Sequence, residues 1–200
     1  MASLEPSHIP TLEASVDAQV RDKTYDFGNN HTLLKLYQFF PEHARDDVTI
    51  NILIKAVMAL PDTDFLSCLH LLPAPGPSSP VATLVELETH LQTFDLEPFW
   101  AATRVTSTKE LLSCVPGFRD AVQSYIVLAL SRTFSKVDAS IVLRALDESD
   151  LAPMAAKFGF TVDGDAVVFA PNPENQAKPQ VFSKPIDMGD LAGVMAACAP

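Results

Sequence analysis

The chain has 200 residues, 48% of them hydrophobic and 20% charged, the balance of an ordered globular protein long enough to bury a sizeable core. Its formal net charge of −11 argues against phosphate-backbone binding as its main task, because nucleic-acid affinity is built chiefly from Lys and Arg. Cys68, Cys114 and Cys198 form an odd set that suits a reducing compartment and buried thiols better than a disulfide framework.

In chain order, residues 1–10 carry two prolines and no periodicity, and are expected as a loose tail. The first 17 residues lack the basic region and continuous apolar run of a signal peptide, and no apolar segment reaches bilayer length, so the expected compartment is the cytosol. Residues 11–22 read as a first short helix, followed by a turn through Asp26, Phe27 and Gly28.

A rhythm follows. Candidate helix caps Asn30, Asp46, Asp62, Ser79 and Asp95 recur every 16 or 17 positions, and Pro80 after Ser79 is a favoured first helical residue. Each unit holds about one three-turn helix and a short loop, so two units approach the period of helical-repeat proteins. Leu33, Leu36, Tyr37 and Phe40 mark one apolar stripe; Leu84, Leu87, Leu91 and Phe94 mark a second; Leu96, Phe99 and Trp100 begin a third. Residues 46–72 are central. Ile50, Leu53, Ile54 and Val57 share a face, then Phe65, Cys68, Leu69 and Leu72 repeat it after a hinge at Pro61-Asp62. Ile52, Met58, Leu66 and Leu71 add apolar surface on the other flanks, which predicts helices packed on several sides. The proline-rich segment 73–80 cannot be helical and is either a stiff connector or a partner ligand.

Near residue 105 the pattern changes. A short helix around 109–114 ends at Pro116-Gly117, and Phe118, Val122, Tyr125, Ile126 and Ala129 define the longest helix, over 118–134. A compact helix over 138–147 and another over 149–158 follow, with Leu151, Met154, Ala155 and Phe158 on one side and Gly159 as a C-terminal cap. Segments 160–162 and 167–169 flank Asp163-Gly164-Asp165 as strand, turn and strand. Three helices and a small hairpin are the order of a winged-helix module. Proline-punctuated residues 171–185 lead to a last amphipathic helix over 187–197, with Leu191, Val194, Met195 and Cys198 on one face as candidate partner-binding residues. That helix either folds back or joins another chain's helices.

Chemistry is harder to find. Residues 138–170 hold six acids against Arg144 and Lys157, and the wing tip is acidic, which argues against sequence-specific nucleic-acid readout. The five histidines are dispersed, with no HExxH, CxxC or i, i+4 ligand pair, so no metal or cofactor is expected. His70 near Cys68 reads as packed or half-exposed, and Asp62/Asp64 and Asp163/Asp165 read as caps and turns rather than catalytic dyads. Asn30-His31-Thr32 matches a glycosylation acceptor pattern but reads here as a helix start. There is no phosphate loop, dinucleotide fingerprint or nucleophile elbow, and no enzyme is expected.

Several blocks nonetheless carry a resemblance: Tyr25-Asp26, LLKLYQFFP over 33–41, ILIKAVMALPDTDFLSCL over 52–69, Phe99-Trp100, Gly117-Phe118 and KFGF over 157–160. Together they resemble the subunit k family of eukaryotic translation initiation factor three, a compact PCI-type family. The resemblance implies a mainly α fold: residues 1–23 as tail and first helix, HEAT-like helical repeats over 24–116, a winged-helix domain over 117–170, and a tail with a C-terminal helix over 171–200. It implies a non-enzymatic, cytoplasmic interaction subunit that pairs with subunit l. The factor as a whole binds the 40S ribosomal subunit and helps recruit mRNA and initiator tRNA. The alternatives are a scaffold subunit of a related proteasome-lid or signalosome assembly, and a free winged-helix nucleic-acid regulator.

Overall fold

The computed structural model describes residues 5–74, 76 and 79–176. The candidate helix over 187–197, with Leu191, Val194, Met195 and Cys198, lies outside the described residues. A 3-10 turn at Pro6–His8 leads into α1 (Ile9–Asp22), so the expected loose tail is instead ordered from its middle: Pro6 and Pro10 occupy first-turn positions and Ile9 is buried.

Four helices then build a stack: α2 (Phe27–Phe39), α3 (Asp46–Met58), the short α4 (Asp64–Leu69) and α5 (Pro80–Gln92). Their starts correct the expected caps. Asp26 caps α2, its carboxylate accepting from the Asn29 amide at 3.0 Å, so Asn30 falls inside the first turn. There Asn30 is fully buried and exchanges amide hydrogen bonds with Gln19 of α1 at 2.9 and 3.1 Å. Arg45 precedes α3, and Thr63 rather than Asp62 precedes α4, after a cis Leu60-Pro61 bond. Ser79 does cap α5, accepting from the Ala82 amide at 3.2 Å, and Asp95 precedes α6 (Leu96–Thr103).

The central helix packs on several sides, as its sequence predicts. Residues 52–57 of α3 are buried without interruption, because α1, α2, α4, α5 and the later helix Phe118–Thr133 all lie against it. Each such Ile, Leu or Val side chain contributes about 1.5–3 kcal/mol of hydrophobic stabilisation. Lys55 sits inside this run, and its ammonium donates to the Thr24 carbonyl at 2.6 Å; burial lowers its pKa. On α4, Phe65 and Cys68 turn inward while Leu66 points out. Polar staples join the surrounding elements: Tyr25, in the loop before α2, donates to Asp64 of α4 at 2.9 Å, and Tyr37 of α2 to Glu13 of α1 at 2.6 Å.

Beyond α6 come α7 (Thr106–Ser113) and α8 (Phe118–Thr133), the longest helix among the described residues, entered through Gly117 at φ +92°. The chain continues as β1 (Lys136–Asp138), α9 (Ala139–Leu146), α10 (Ala152–Phe158), β2 (Thr161–Asp163) and β3 (Ala166–Val168). The antiparallel sheet has the order β1-β3-β2. Strand β1 is absent from the sequence reading, and α10 is three residues shorter than expected. Asp150 accepts from the Ala152 amide at 2.9 Å, and Pro153 fits only the first turn, so the helix starts there. Gly159 ends it at φ +75° and Gly164 turns the hairpin at φ +59°. Phe160 and Phe169 meet edge-to-face at 5.9 Å, in a core that runs continuously from the helical stack.

Candidate functional site

Where α9 stops, the helical stack and the sheet-bearing segment are locked together. The last carbonyls of any helix lack intrahelical donors. Here three successive ones, at residues 145, 146 and 147, are taken by side chains from other helices. The Trp100 indole of α6 donates to the Ala145 carbonyl at 2.9 Å, Gln123 of α8 to Leu146 at 3.1 Å, and Arg119 of α8 to Asp147 at 2.6 Å.

Charge reinforces the lock. Asp147 is left-handed at φ +54°, and the Glu148 amide reaches back to the Leu143 carbonyl at 3.1 Å, a Schellman-type ending without the usual glycine. Its carboxylate accepts from Arg104 and, at 3.3 Å, from Arg119. Glu148 accepts from Arg119 at 3.0 Å and from Gln123 at 2.9 Å; the Gln123 bond first, then Arg119, hold its carboxyl below the usual range. The Arg119 guanidinium also lies 4.9 Å above the centre of the Trp100 ring, which is only 4% exposed. Two guanidinium groups at the end of α9 oppose its negative dipole end. The Trp100, Gln123 and Arg119 side chains each donate to the end of α9, so this constellation fixes an angle between elements.

Elsewhere, titratable groups serve packing. The Cys68 thiol is buried and pushed up to about 12 by burial, with Asp64 adding to the shift, while Cys114 and His70 are exposed. Asp64 holds Tyr25, and Asp163 lies 3.6 Å from Lys136. Lys157, the cation of α10, pairs with Asp120 at 2.6 Å. Among the described residues, no group of three or more His, Cys, Asp or Glu is placed to hold a metal ion, and no helix is long and apolar enough to cross a membrane.

Cavities open on the surface of the described residues. One of about 560 Å³ lies beside the 73–80 segment, lined by Leu34, Tyr37, Leu71 and Val81. A second, of about 480 Å³, adjoins the lock and is lined by Trp100, Arg104, Lys109, Leu112, Phe118 and Arg119. A third, of about 380 Å³, lies between α8 and the end of α10, lined by Leu128, Phe158 and Pro171.

Residues 43–181 match the profile of the CSN8/PSMD8/EIF3K family. The chain belongs to that family. Relatives named eukaryotic translation initiation factor 3 subunit K are similar along nearly its whole length. The proteins of Homo sapiens and Bos taurus are 31% identical and that of Drosophila erecta 30%, each over 96% of this chain and 88% of the relative. Within this member of the CSN8/PSMD8/EIF3K family, the blocks that carry the resemblance are structural. The 33–41 run forms the C-terminal half of α2, the 52–69 run forms the C-terminal half of α3 and all of α4, Trp100 supplies the indole of the lock, and Gly117 opens α8.

Proposed function

We propose that the chain is a non-enzymatic structural subunit of the eukaryotic translation initiation factor three complex. The observation that carries this reading is the similarity, over 96% of the chain, to proteins named as subunit K of that factor. Its partners are then the other subunits, subunit l foremost, and through them the 40S ribosomal subunit in the cytoplasm, where the complex promotes mRNA and initiator tRNA recruitment. Residues 24–116 act as HEAT-like repeats and 117–170 as a winged-helix domain, between the segments 1–23 and 171–200. The element order α8-β1-α9-α10-β2-β3 supports the winged-helix assignment, and the multiply packed α3 supports the repeat assignment.

In this reading the winged helix is a docking surface rather than a reader of nucleic acid. The pairing of Lys157 with Asp120 supports that, since α10 then presents no free cation to a groove. Leu191, Val194, Met195 and Cys198 are the proposed partner contacts. The second reading, a scaffold in a proteasome-lid or signalosome assembly, rests on the breadth of the family profile. Affinity purification of the tagged chain from its own cells, followed by mass spectrometry, separates the two. Recovery of initiation-factor subunits and 40S proteins is expected; recovery of lid or signalosome subunits in their place overturns the proposal.

A further inference from the structure

We infer that the cavity between α6, α7 and α8 is a docking site for an acidic peptide segment carrying an apolar side chain. The chain as a whole is strongly acidic, at −11, yet this cavity is lined by Arg104, Lys109 and Arg119 and by no acidic residue. Its floor is apolar, supplied by Leu112, Val115 and Phe118. Asp147 and Glu148, which hold Arg119, do not line it. Lys109 is exposed and makes no ion pair or side-chain hydrogen bond among the described residues, and Arg104 engages Asp147 through one terminal nitrogen only. Cationic donors therefore remain at the rim of an apolar recess of about 480 Å³, the size of a site for two or three side chains.

A peptide fits this charge pattern better than RNA does. An RNA strand would carry its phosphates across the acidic remainder of the surface, where they are repelled. A short segment with a few carboxylates feels mainly the charges within about 8 Å at physiological salt. Asp147 and Glu148 offset Arg104 and Arg119 there, and Lys109 is the lining cation that no ion pair compensates among the described residues. The site adds a recognition surface to the assembly role without depending on which complex the chain joins.

The test uses the isolated full-length chain and fluorescence anisotropy with four probes: labelled Glu-Glu-Phe-Glu-Glu, Glu-Glu-Gly-Glu-Glu, Lys-Lys-Phe-Lys-Lys and a uridine decamer. The acidic phenylalanine peptide should bind tightest. Lys109→Glu should weaken it by about tenfold, which is about 1.4 kcal/mol, and Lys109→Ala by less, with melting temperatures unchanged. The site is overturned by any of three results: no binding of the acidic peptide, equal or tighter binding of the basic peptide or the decamer, or equal affinity in Lys109→Glu. Co-purification results bear on the assembly alone and leave this outcome untouched.

Discussion

The Trp100 indole and the Ala145 carbonyl, 45 positions apart, share a 2.9 Å hydrogen bond that ties α6 to the end of α9. Replacing Trp100 by Phe keeps a ring beneath Arg119 but leaves that carbonyl without its donor, at a cost of about 1–2 kcal/mol. Replacing it by Ala also empties the pocket, at about 3–5 kcal/mol. Urea titrations should rank wild type above Trp100→Phe and Trp100→Ala last. Equal midpoints for wild type and Trp100→Phe would show that the bond contributes nothing net.

Asp147 combines an unfavourable backbone with favourable pairing, and substitutions separate the two. Asp147→Gly relieves the left-handed φ but removes the carboxylate that accepts from Arg104 and Arg119, so its stability should lie near wild type. Asp147→Ala loses the pairing and keeps the strain, so it should be the less stable of the two by about 1 kcal/mol. Thermal melts of the pair decide it, and an Ala variant at least as stable as the Gly variant contradicts the strain argument.

Two carboxyls titrate in opposite senses. For Glu148, the bonds from Gln123 and Arg119 lower the folded pKa below its usual value near 4.5. Its contribution is therefore present above that pH and lost as pH falls through the folded pKa. Wild type should lose its advantage over Glu148→Gln only as the medium is acidified below about pH 4.5. Glu88 is buried on α5, which raises its pKa despite a hydrogen bond from Gln92. Its folded form is favoured at low pH and disfavoured as pH rises through the raised pKa, so Glu88→Gln should gain on wild type on the alkaline side. Denaturant midpoints from pH 3 to 8 for both variants check the signs.

Thiol chemistry should divide the cysteines. Cys68 is buried with its thiol pushed up to about 12, whereas Cys114 is exposed on the surface. Iodoacetamide at pH 8 should label Cys114 in the native chain and reach Cys68 only after denaturation. Peptide mapping by mass spectrometry reads both sites, and early labelling at Cys68 would mean that α4 opens independently.

The proposed partner face can be tested by substituting Leu191 and Met195 together with Asp. If they meet another subunit, incorporation into the complex should be lost while the melting of the isolated chain is unchanged. If they instead fold back, the isolated chain should lose about 1–3 kcal/mol for each side chain.

Much of the helical architecture was legible in the sequence because apolar spacing records which faces are covered: Leu53, Ile54 and Val57 on α3, Leu84, Leu87 and Leu91 on α5, and Val122 and Ile126 on α8 are all buried. Caps were harder to read. Asn30 resembles a cap in one dimension, yet its amide is matched to Gln19, while Asp26 supplies the carboxylate four positions earlier. Strand β1 left no local signal, since Lys-Val-Asp becomes a strand only by pairing with Ala166–Val168 some 30 residues later. The lock was invisible for the same reason: Trp100, Arg119, Gln123, Asp147 and Glu148 are ordinary residues until the fold brings three helices to one carbonyl end.

The unbroken burial of residues 52–57 also makes α3 a gauge. With neighbours on several sides, its backbone amides have no local route to solvent by fraying or by departure of one adjacent helix. Deuterium uptake along that run should proceed only through opening of the whole molecule, so its rate reports the global unfolding free energy. Any bound subunit or peptide that slows exchange there does so by stabilising the entire fold, without touching α3.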